Sequence, residues 1–459
     1  MDESSYQRRR IIKALGVAGL AGIAGCSGDG NNQNGESDGS DGGDGDDGSD
    51  GGDGGGGDGS DGSDGGGSET RTLEFAAWGP EVEKDAHKGA LDSFKQQKEN
   101  LETNYINIPP DQFHDRIRTQ FSAGEEPHVF YMEPIFIPEF AENLVVQGEE
   151  HPDDFVGDFY QNIVDAYRFK DTLYNMPFTW AITAPVYDKE LLSTAGYDEL
   201  PKNWGDFRTA LVDIKEKTDV DYPLYQPDQA SSPVNLWHPL LVSNGGQVMT
   251  DDLSECVVGS DEAVEALAYM EDLRESNLIG LLSEVGAQSD MAALAKGQVA
   301  MITGGGWLPA FIKTQHPDLF DRLGTARPPK PSGGEFGNMV FAASMGISAN
   351  SEIKDTALEF VRHILGDGMI PYYESGIGFP VREHHRKQLD LYDKDGGDPR
   401  WKNMFQIRND RLRGFIWGEN TPEIKNTLYG QIEGVMRGSL DAQEALEQAE
   451  KTINNDVLN

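Results

Sequence analysis

The chain has 459 residues, enough for two or three domains, and its formal net charge of −41 at pH 7 argues against binding to nucleic acid. It has only two cysteines, Cys26 and Cys256, which excludes a framework of disulfides and fits no metal-site spacing. Because residues 27–68 hold only 12 acidic residues and no basic one, most of the charge lies elsewhere, and we expect a halophilic protein whose like charges are screened by salt.

The first 26 residues are typical of an export signal. A basic cluster that includes Arg8 and Arg9 precedes an apolar segment of about 14 residues, which is too short to span a membrane. The consecutive arginines resemble a twin-arginine signal. The sequence GIAGC, ending at Cys26, resembles a lipobox, in which the cysteine is lipidated and becomes the first residue of the mature chain. An ordinary cleaved signal with an incidental cysteine is the alternative.

The tract at 27–70 is rich in Gly, Asp and Ser. It has almost nothing apolar to bury, so it is predicted to be a disordered linker. Together the two segments indicate an anchor and a spacer in front of a folded part.

From residue 71 the sequence alternates between strand-like and helical segments. TLEFAAW, NYINIP and PHVFYM are strand-like. Apolar side chains recur at helical spacing in the two intervening segments, namely Val82, Ala86, Ala90 and Phe94, and then Phe113, Ile117 and Phe121. The order strand, helix, strand, helix, strand predicts a parallel sheet with right-handed crossovers.

A second region of the same kind follows. WAITAPVYD is strand-like, and three later helices are predicted to begin at the N-caps Asp188, Ser260 and Ser289. After the glycines at 304–306 the pattern returns to a strand in FAASMGISA and a helix in IKDTALEFVRHILG, and helices end the chain around 421–455. The fold class is therefore α/β, with two lobes.

Five pieces of sequence, taken in order, resemble the extracellular solute-binding proteins of ABC importers, specifically the sugar-binding type typified by maltose-binding protein. They are YNMPFTWAITAPVYDKELLSTAGYDELPKNWGDF, KGQVAMITGGGW, ISANSEIKDTALEFVRHIL, GFPVR and GSLDAQEALEQA. The resemblance spans 71–459. It implies a two-lobed, type II periplasmic-binding-protein fold in which each lobe is a mostly parallel sheet flanked by helices, with the ligand cleft between the lobes.

The resemblance also implies a division of the chain. Lobe one would comprise 71–182 plus 338–382, and lobe two 183–337 plus 383–459. The strands that cross between the lobes would lie near 179–187 and 337–347.

Sugars present apolar faces and a rim of hydroxyls, so their sites combine aromatic platforms with carboxylates, amides and arginines. On that basis the family-like positions give nine candidate ligand-binding residues: Trp78, Glu81, Glu133, Trp180, Trp237, His238, Trp307, Arg382 and Trp417. Each has a structural alternative, since a tryptophan or histidine can pack inside, a glutamate can favour a helix start, and Arg382 can form a salt bridge.

The stretch MITGGGW places three glycines directly before Trp307. We interpret them as a side-chain-free turn that leaves room for a ligand. A phosphate cradle is disfavoured, because the lysine and hydroxyl residue of a P-loop do not follow the glycines.

The resemblance implies a membrane-anchored receptor at the extracellular face that delivers a sugar or oligosaccharide to the permease subunits of an ABC transporter. It implies a monomer without catalytic residues, cofactor or metal. Two alternatives stay open. One is a binding protein for another solute, such as glycerol phosphate, a polyamine or a metal chelate. The other is an exported glycosidase, which needs two carboxylates about 5 to 9.5 Å apart.

Overall fold

The computed structural model describes residues 70–226, 235–341, 343–393 and 395–458. The predicted export signal, with Arg8, Arg9 and Cys26, and nearly all of the predicted linker lie outside the described residues. The strands are β1 Arg71–Ala77, β2 Leu101–Asn107, β3 Val129–Met132, β4 Met176–Pro177, β5 Thr183–Asp188, β6 Tyr222–Gln226, β7 Ile279–Leu281, β8 Val299–Gly305, β9 Leu323–Thr325, β10 Gly337–Met339, β11 Ser344–Ile347 and β12 Arg411–Arg413.

The α-helices pack on the faces of the sheets. They are α1 Glu81–Lys95, α2 Pro110–Ala123, α3 Ile137–Phe140, α4 Gln147–Glu150, α5 Asp153–Gly157, α6 Gln161–Asp165, α7 Lys189–Thr194, α8 Trp204–Lys217, α9 Trp237–Ser243, α10 Asp261–Glu275, α11 Leu282–Val285, α12 Asp290–Ala295, α13 Leu308–Gln315, α14 Pro317–Arg322, α15 Lys354–His363, α16 Ile370–Glu374, α17 Glu383–Arg386, α18 Pro399–Phe405, α19 Thr421–Met436 and α20 Ala442–Thr452. None of these described helices is both long and apolar enough to cross a membrane.

Two of the three predicted N-caps are confirmed. The Asp188 side chain accepts a hydrogen bond from the Glu190 amide at 2.9 Å, and the Ser289 hydroxyl accepts one from the Ala292 amide at 3.2 Å. Ser260 precedes α10 as predicted, but its side chain makes no capping hydrogen bond.

Two mixed sheets form the framework. The first has the strand order β2-β1-β3-β11-β4, and the second has the order β7-β6-β8-β5-β9. In each sheet the βαβ strands run parallel, as the alternating pattern predicted, whereas β11 and β5 pair antiparallel to their neighbours. The antiparallel strands fall within the two segments predicted to cross between lobes.

The crossing segments lie side by side between the two sheets. The chain leaves the first sheet at β4 and enters the second at β5, and it returns through β10 to β11. Midway, Ala181 and Phe341 form an antiparallel bridge, exchanging N–H···O hydrogen bonds of 2.7 and 3.0 Å. These paired segments are where a hinge between two sheet domains would lie.

Each sheet has its own hydrophobic core. The first core surrounds the first sheet, with Phe75, Phe130 and Ile347 at its centre, and the second includes α9, α10, α19 and α20. The predicted lobe boundaries stay a prediction, but they do not coincide with the cores. Side chains from the segment 383–409, which was assigned to lobe two, pack in the first core, among them Tyr392, Trp401 and Phe405.

Candidate functional site

Trp78 follows β1 at the edge of the first core and keeps part of its indole exposed. The ring is held edge-on by two aromatic neighbours. Its centroid lies 4.5 Å from that of Phe113, with the planes at 70°, and 5.1 Å from that of Tyr131, with the planes at 85°. Edge-to-face packing of this kind restricts the orientation of the indole, which stays partly exposed.

Glu133 follows β3 and lies close to Trp78. Its backbone N–H donates to His114 Nε2 at 3.4 Å, and the His114 ring lies 5.8 Å from that of Trp78. The Glu133 carboxylate is partly buried and has no hydrogen-bond or ion-pair partner among the described residues. Burial raises the pKa of Glu133, and the charge of Lys425 offsets part of that rise.

Lys425 is a candidate that the sequence analysis missed. It lies on α19, in the second core's helix layer, and faces Glu133 of the first core closely enough for each charge to shift the pKa of the other. Burial lowers the pKa of Lys425. The turn Pro134–Phe136 contacts α19, and Ile135 packs against the second core, so this is a contact between the two halves. No motif marks Lys425, because only the fold brings α19 to the end of β3.

Trp307 lies on the second sheet, directly after β8, and is partly exposed. Its ring meets Phe341 of the crossing segment edge-on, with centroids 5.9 Å apart. The three glycines before it are closely packed rather than open. A Cβ on Gly305 would lie 2.2 Å from the Trp307 indole, and one on Gly306 would lie 2.4 Å from Phe379 of the first core. The glycines therefore let the indole fold back over its own strand, beside the crossing.

Three predicted candidates lie together in the second core. Trp237 and His238 are fully buried and Trp417 is 4% exposed, with His238 surrounded by the rings of Trp237, Phe415, Trp417 and Tyr429. Among the residues that the structure describes, both His238 nitrogens and Trp237 Nε1 lack a hydrogen-bond partner. Burial lowers the pKa of His238 to about 3, so the imidazole is neutral at neutral pH. In this conformation these rings offer no open face to a ligand.

Trp180 and Arg382 have structural contacts. Trp180 is 1% exposed and donates from Nε1 to the Pro380 carbonyl at 3.0 Å. The Arg382 guanidinium pairs with Asp158 at 2.8 Å and donates to the Leu365 carbonyl at 2.8 Å. Both therefore hold the first core together.

Glu81 is a surface residue. Its side chain is 74% exposed and pairs only loosely with Lys84, at 3.9 Å. It lies in the first turn of α1, where a negative charge is favoured by the helix dipole. Of the nine candidates, the structure thus brings Trp78 and Glu133 together, leaves Trp307 partly exposed beside the crossing, and places the other six in cores or on the surface.

Among the described residues, no three His, Cys, Asp or Glu side chains converge in a way that could hold a metal ion. A separate cavity of about 210 Å³ lies between β9 and α18, lined by Tyr187, Lys189, Asp321, Leu323, Gly324, Thr325, Pro399, Arg400 and Asn403. Neither Trp78 nor Glu133 lines it.

Two α/β halves joined by paired crossings, with partly exposed tryptophans and with Glu133 facing Lys425 between the halves, are typical of a two-lobed solute-binding protein. The family comparison agrees. The chain matches the bacterial extracellular solute-binding proteins over residues 69–369 and belongs to that family. The resemblance seen in the sequence is thereby confirmed.

Two curated relatives show how far the similarity extends. The chain is 26% identical over 272 residues to the diacetylchitobiose binding protein DasA of Streptomyces coelicolor, a match that covers 57% of this chain and 61% of DasA. The chain therefore spans less than two thirds of that relative. It is 20% identical over 381 residues to the lactose-binding protein of Rhizobium radiobacter, covering 79% of this chain and 87% of the relative.

Solved structures share the fold. The cyclic α-maltosyl-1,6-maltose binding protein from Arthrobacter globiformis superimposes with a TM-score of 0.74 at 20% identity, covering 84% of this chain and 98% of that one. The sugar-binding protein MalE of Xanthomonas citri gives a TM-score of 0.73 at 21% identity, covering 84% and 97%. The predicted two-lobed, type II architecture is thus confirmed.

Proposed function

We propose that this solute-binding protein captures a sugar or oligosaccharide and delivers it to the permease of an ABC transporter. The observation that carries the proposal is the partly exposed Trp78 indole beside the Glu133 carboxylate, which accepts no hydrogen bond from the described residues, and the partly exposed Trp307 indole beside the crossing supports it. Indole faces suit the apolar side of a sugar ring, and a carboxylate accepts hydrogen bonds from its hydroxyls. The names of DasA and the lactose-binding protein favour the same class of ligand.

Lys425 extends this proposed site. The Lys425 ammonium can donate a hydrogen bond to a sugar hydroxyl, and the Glu133 carboxylate can accept one from it. Together the two side chains can satisfy both the acceptor and the donor of that hydroxyl. Lys425 also comes from α19, whereas Glu133 follows β3, so a ligand bound to both would link the two halves. Such a ligand binds more tightly when the two halves are close together, and it therefore stabilises the closed arrangement relative to the open one.

We further propose that the protein is not an enzyme. Hydrolysis of a glycoside needs two carboxylates about 5 to 9.5 Å apart. Burial raises the pKa of Glu133, but the charged group that faces it is Lys425, a cation that lowers this pKa, and the exposed Glu81 lies at the start of α1.

The proposed location is the extracellular face of the membrane, with a lipid on Cys26 and the acidic tract as a tether. Family membership supports the extracellular location, and the twin-arginine-like and lipobox-like sequences support the anchor. Mass spectrometry of the mature amino terminus tests the anchor, because an unmodified or absent Cys26 would contradict it.

The ligand class is tested by calorimetric titration in molar KCl with maltotriose, lactose and diacetylchitobiose, and with glycerol phosphate, spermidine and ferric citrate as the alternatives. We expect at least one sugar to bind, and Trp307→Ala to weaken that binding on the order of tenfold or more. Trp204→Ala is the matched control, since Trp204 is also partly exposed and packs in the second half, but stacks on Tyr269 at 4.8 Å, away from the crossing.

Binding of only a phosphate, a polyamine or a chelate would contradict the sugar proposal. Turnover of the bound oligosaccharide would contradict the non-catalytic one. Equal losses in Trp307→Ala and Trp204→Ala would show that the first variant acts through the fold and not through contact with the ligand.

A further inference from the structure

Helix α1 buries two ionisable side chains one turn apart. Glu83 is 6% exposed and His87 is fully buried, and the Glu83 carboxyl lies 3.9 Å from His87 Nε2. No lysine or arginine among the described residues pairs with Glu83. A buried charge without a partner is costly, so a carboxyl in this position is favoured in its neutral form.

The hydrogen bonds around these two residues fix the positions of the protons. Tyr131 Oη donates to Glu83 Oε1 at 2.9 Å, and it is also bonded to His87 Nε2. With Tyr131 donating to Glu83, the single phenolic proton is used, and in this arrangement His87 Nε2 is the donor to Tyr131. His87 Nδ1 then accepts from Tyr105 Oη at 3.3 Å. The result is one chain of bonds with a single direction, from Tyr105 through His87 and Tyr131 to Glu83.

This assignment makes His87 a neutral Nε2–H tautomer and leaves the proton of Glu83 on its other oxygen. Burial raises the pKa of Glu83 to about 8, against a smaller lowering by the Tyr131 bond, and lowers that of His87 to about 3. The ionisable groups that face Glu83 come from α1, β2, β3 and α16, and they are His87, Tyr105, Tyr131, Tyr372 and Tyr373. Burial raises the pKa of each of these phenols, so Glu83 is the member that titrates near neutral pH.

Glu83 also packs against the turn that follows Trp78. A Cβ on Gly79, the residue after Trp78, would lie 2.5 Å from Glu83 Oε2, so the turn rests directly on the carboxyl. Tyr131, whose hydroxyl Glu83 holds, contacts the Trp78 indole edge-on and stacks on Phe178 at 4.4 Å. The backbone of the turn and the ring beside the indole therefore both depend on one carboxyl group.

We propose that neutral Glu83 is the positioning residue that holds Trp78 in its ligand-binding orientation, and that ionisation of Glu83 releases Trp78 and weakens binding. An ionised Glu83 places a negative charge under the turn and draws in water or a shift of Tyr131 to solvate it. The inference rests on the proposed function only in taking Trp78 as a ligand platform. The orientation of Trp78 is observable without any ligand.

The test follows Trp78 itself. The full-length protein is labelled with 5-fluorotryptophan, and its ¹⁹F resonance is assigned from its absence in Trp78→Phe. In ligand-free wild type, in molar KCl, we expect this resonance to shift between about pH 6 and pH 10, with a midpoint near the pKa of Glu83 of about 8. A resonance that does not change over this range would overturn the proposal.

Three variants test whether Glu83 causes this shift of the Trp78 resonance. Glu83→Gln keeps an acceptor for Tyr131 and a donor in place of the acid proton, so the resonance should keep its low-pH position at every pH. Tyr131→Phe keeps the ring contact but removes the bond that lowers the pKa of Glu83, so the midpoint should move to higher pH. Glu81→Gln, on the same helix turn but exposed, should behave as wild type. A transition that persists in Glu83→Gln would also overturn the proposal.

The sugar identified by calorimetry then gives the functional readout. We expect its affinity to fall on the order of tenfold across the transition in wild type and to be independent of pH in Glu83→Gln. If no sugar binds while the resonance titrates as expected, the proposed ligand class fails and the positioning role stands. If sugar binds with no pH dependence in wild type, Glu83 does not control the site.

Discussion

A methyl group added to Gly305 would lie 2.2 Å from the ring of Trp307, closer than carbon atoms approach in proteins. The indole is the only group that can move, because Gly305 is the last residue of β8 and is paired with Thr183 of β5. We therefore expect Gly305→Ala to displace Trp307 and to destabilise the fold by about 1 to 3 kcal/mol through overpacking. Sugar affinity should fall about as far as in Trp307→Ala, measured by calorimetry at a temperature where the variant remains folded.

Gly430→Ala is the matched control. Gly430 lies inside α19 and has open space where a Cβ would be, so alanine should stabilise the helix by about 1 kcal/mol and leave binding unchanged. If Gly305→Ala bound the sugar with wild-type affinity, the position of the Trp307 indole over β8 would not be required for binding.

The residue scale also shows where sequence reasoning stops. Trp78 and Trp307 were predicted from family-like positions, and both are partly exposed in the structure. Trp180, Trp237 and Trp417 were chosen on the same grounds but are buried, because a tryptophan in a short motif has the same pattern whether it faces a cleft or a core. Only the fold of the surrounding chain separates the two cases.

At the scale of elements, α1 shows why buried polar groups escape such reasoning. Its apolar stripe was predicted, and Ala86, Ala90 and Phe94 are buried as expected, whereas Val82 is only partly buried. Glu83 and His87 lie on the same buried face, yet they read as solvent-facing charges in the sequence. Their partner Tyr131 comes from β3, 44 and 48 residues further on. The spacing within a helix cannot reveal a hydrogen bond that a distant strand supplies.

The same limit applies to the segment 383–409. Helices α17 and α18 within it bury side chains, but their sequence does not show against which core they pack. The structure packs Trp401 and Phe405 in the first core, and the chain reaches the second core only near Phe415. The parallel pairing of β1 with β2 and β3, by contrast, followed from the alternation of strands and helices, because that pattern is local.

The Glu83–His87 pair sets a pH dependence of stability whose sign follows from proton counts. Glu83 titrates at about 8 in the folded state and near 4.5 unfolded, and His87 at about 3 and near 6.5. Between pH 4.5 and 6.5 each state holds one proton on the pair, so the pair adds no slope. From 6.5 to 8 only the folded state keeps that proton, and stability falls as pH rises. From 4.5 to 3 the unfolded state binds one proton more, and stability falls as pH falls.

We therefore expect a plateau from this pair, with flanks of about 1.4 kcal/mol per pH unit at most. Glu83→Gln should remove the alkaline flank and also the plateau, because His87 alone then takes up a proton on unfolding everywhere between about pH 6.5 and 3, so the acid flank begins near pH 6.5. Urea unfolding in constant molar KCl, compared between wild type and variant at each pH, isolates the pair from other titrating groups. An alkaline flank of equal size in Glu83→Gln would assign it to residues other than Glu83.

At the scale of the whole molecule, repulsion between like charges is the dominant electrostatic feature, since 79 acidic residues face 38 basic ones. Ion pairs such as Lys95–Glu102 and Arg208–Asp272 are solvent-exposed and contribute little each. Screening of this repulsion by salt therefore affects the stability of the fold more than the exposed ion pairs do. The Debye length shrinks from about 10 Å at 0.1 M salt to about 3 Å at 1 M, so most of the relief comes below about 1 M.

The urea midpoint should accordingly rise steeply between about 0.1 and 1 M KCl and change much less above that range. Deleting 27–68 should leave this dependence nearly intact, because removing its 12 acidic residues still leaves a charge of about −29 on the rest. Loss of the salt dependence in the deletion variant would place the repulsion in the acidic tract instead. A midpoint that keeps rising well above 1 M would point to exclusion of salt from the protein surface, because screening is nearly complete by then. Binding of an uncharged sugar should follow neither trend once the protein is folded, which separates the chemistry of the cleft from the charge of the molecule that carries it.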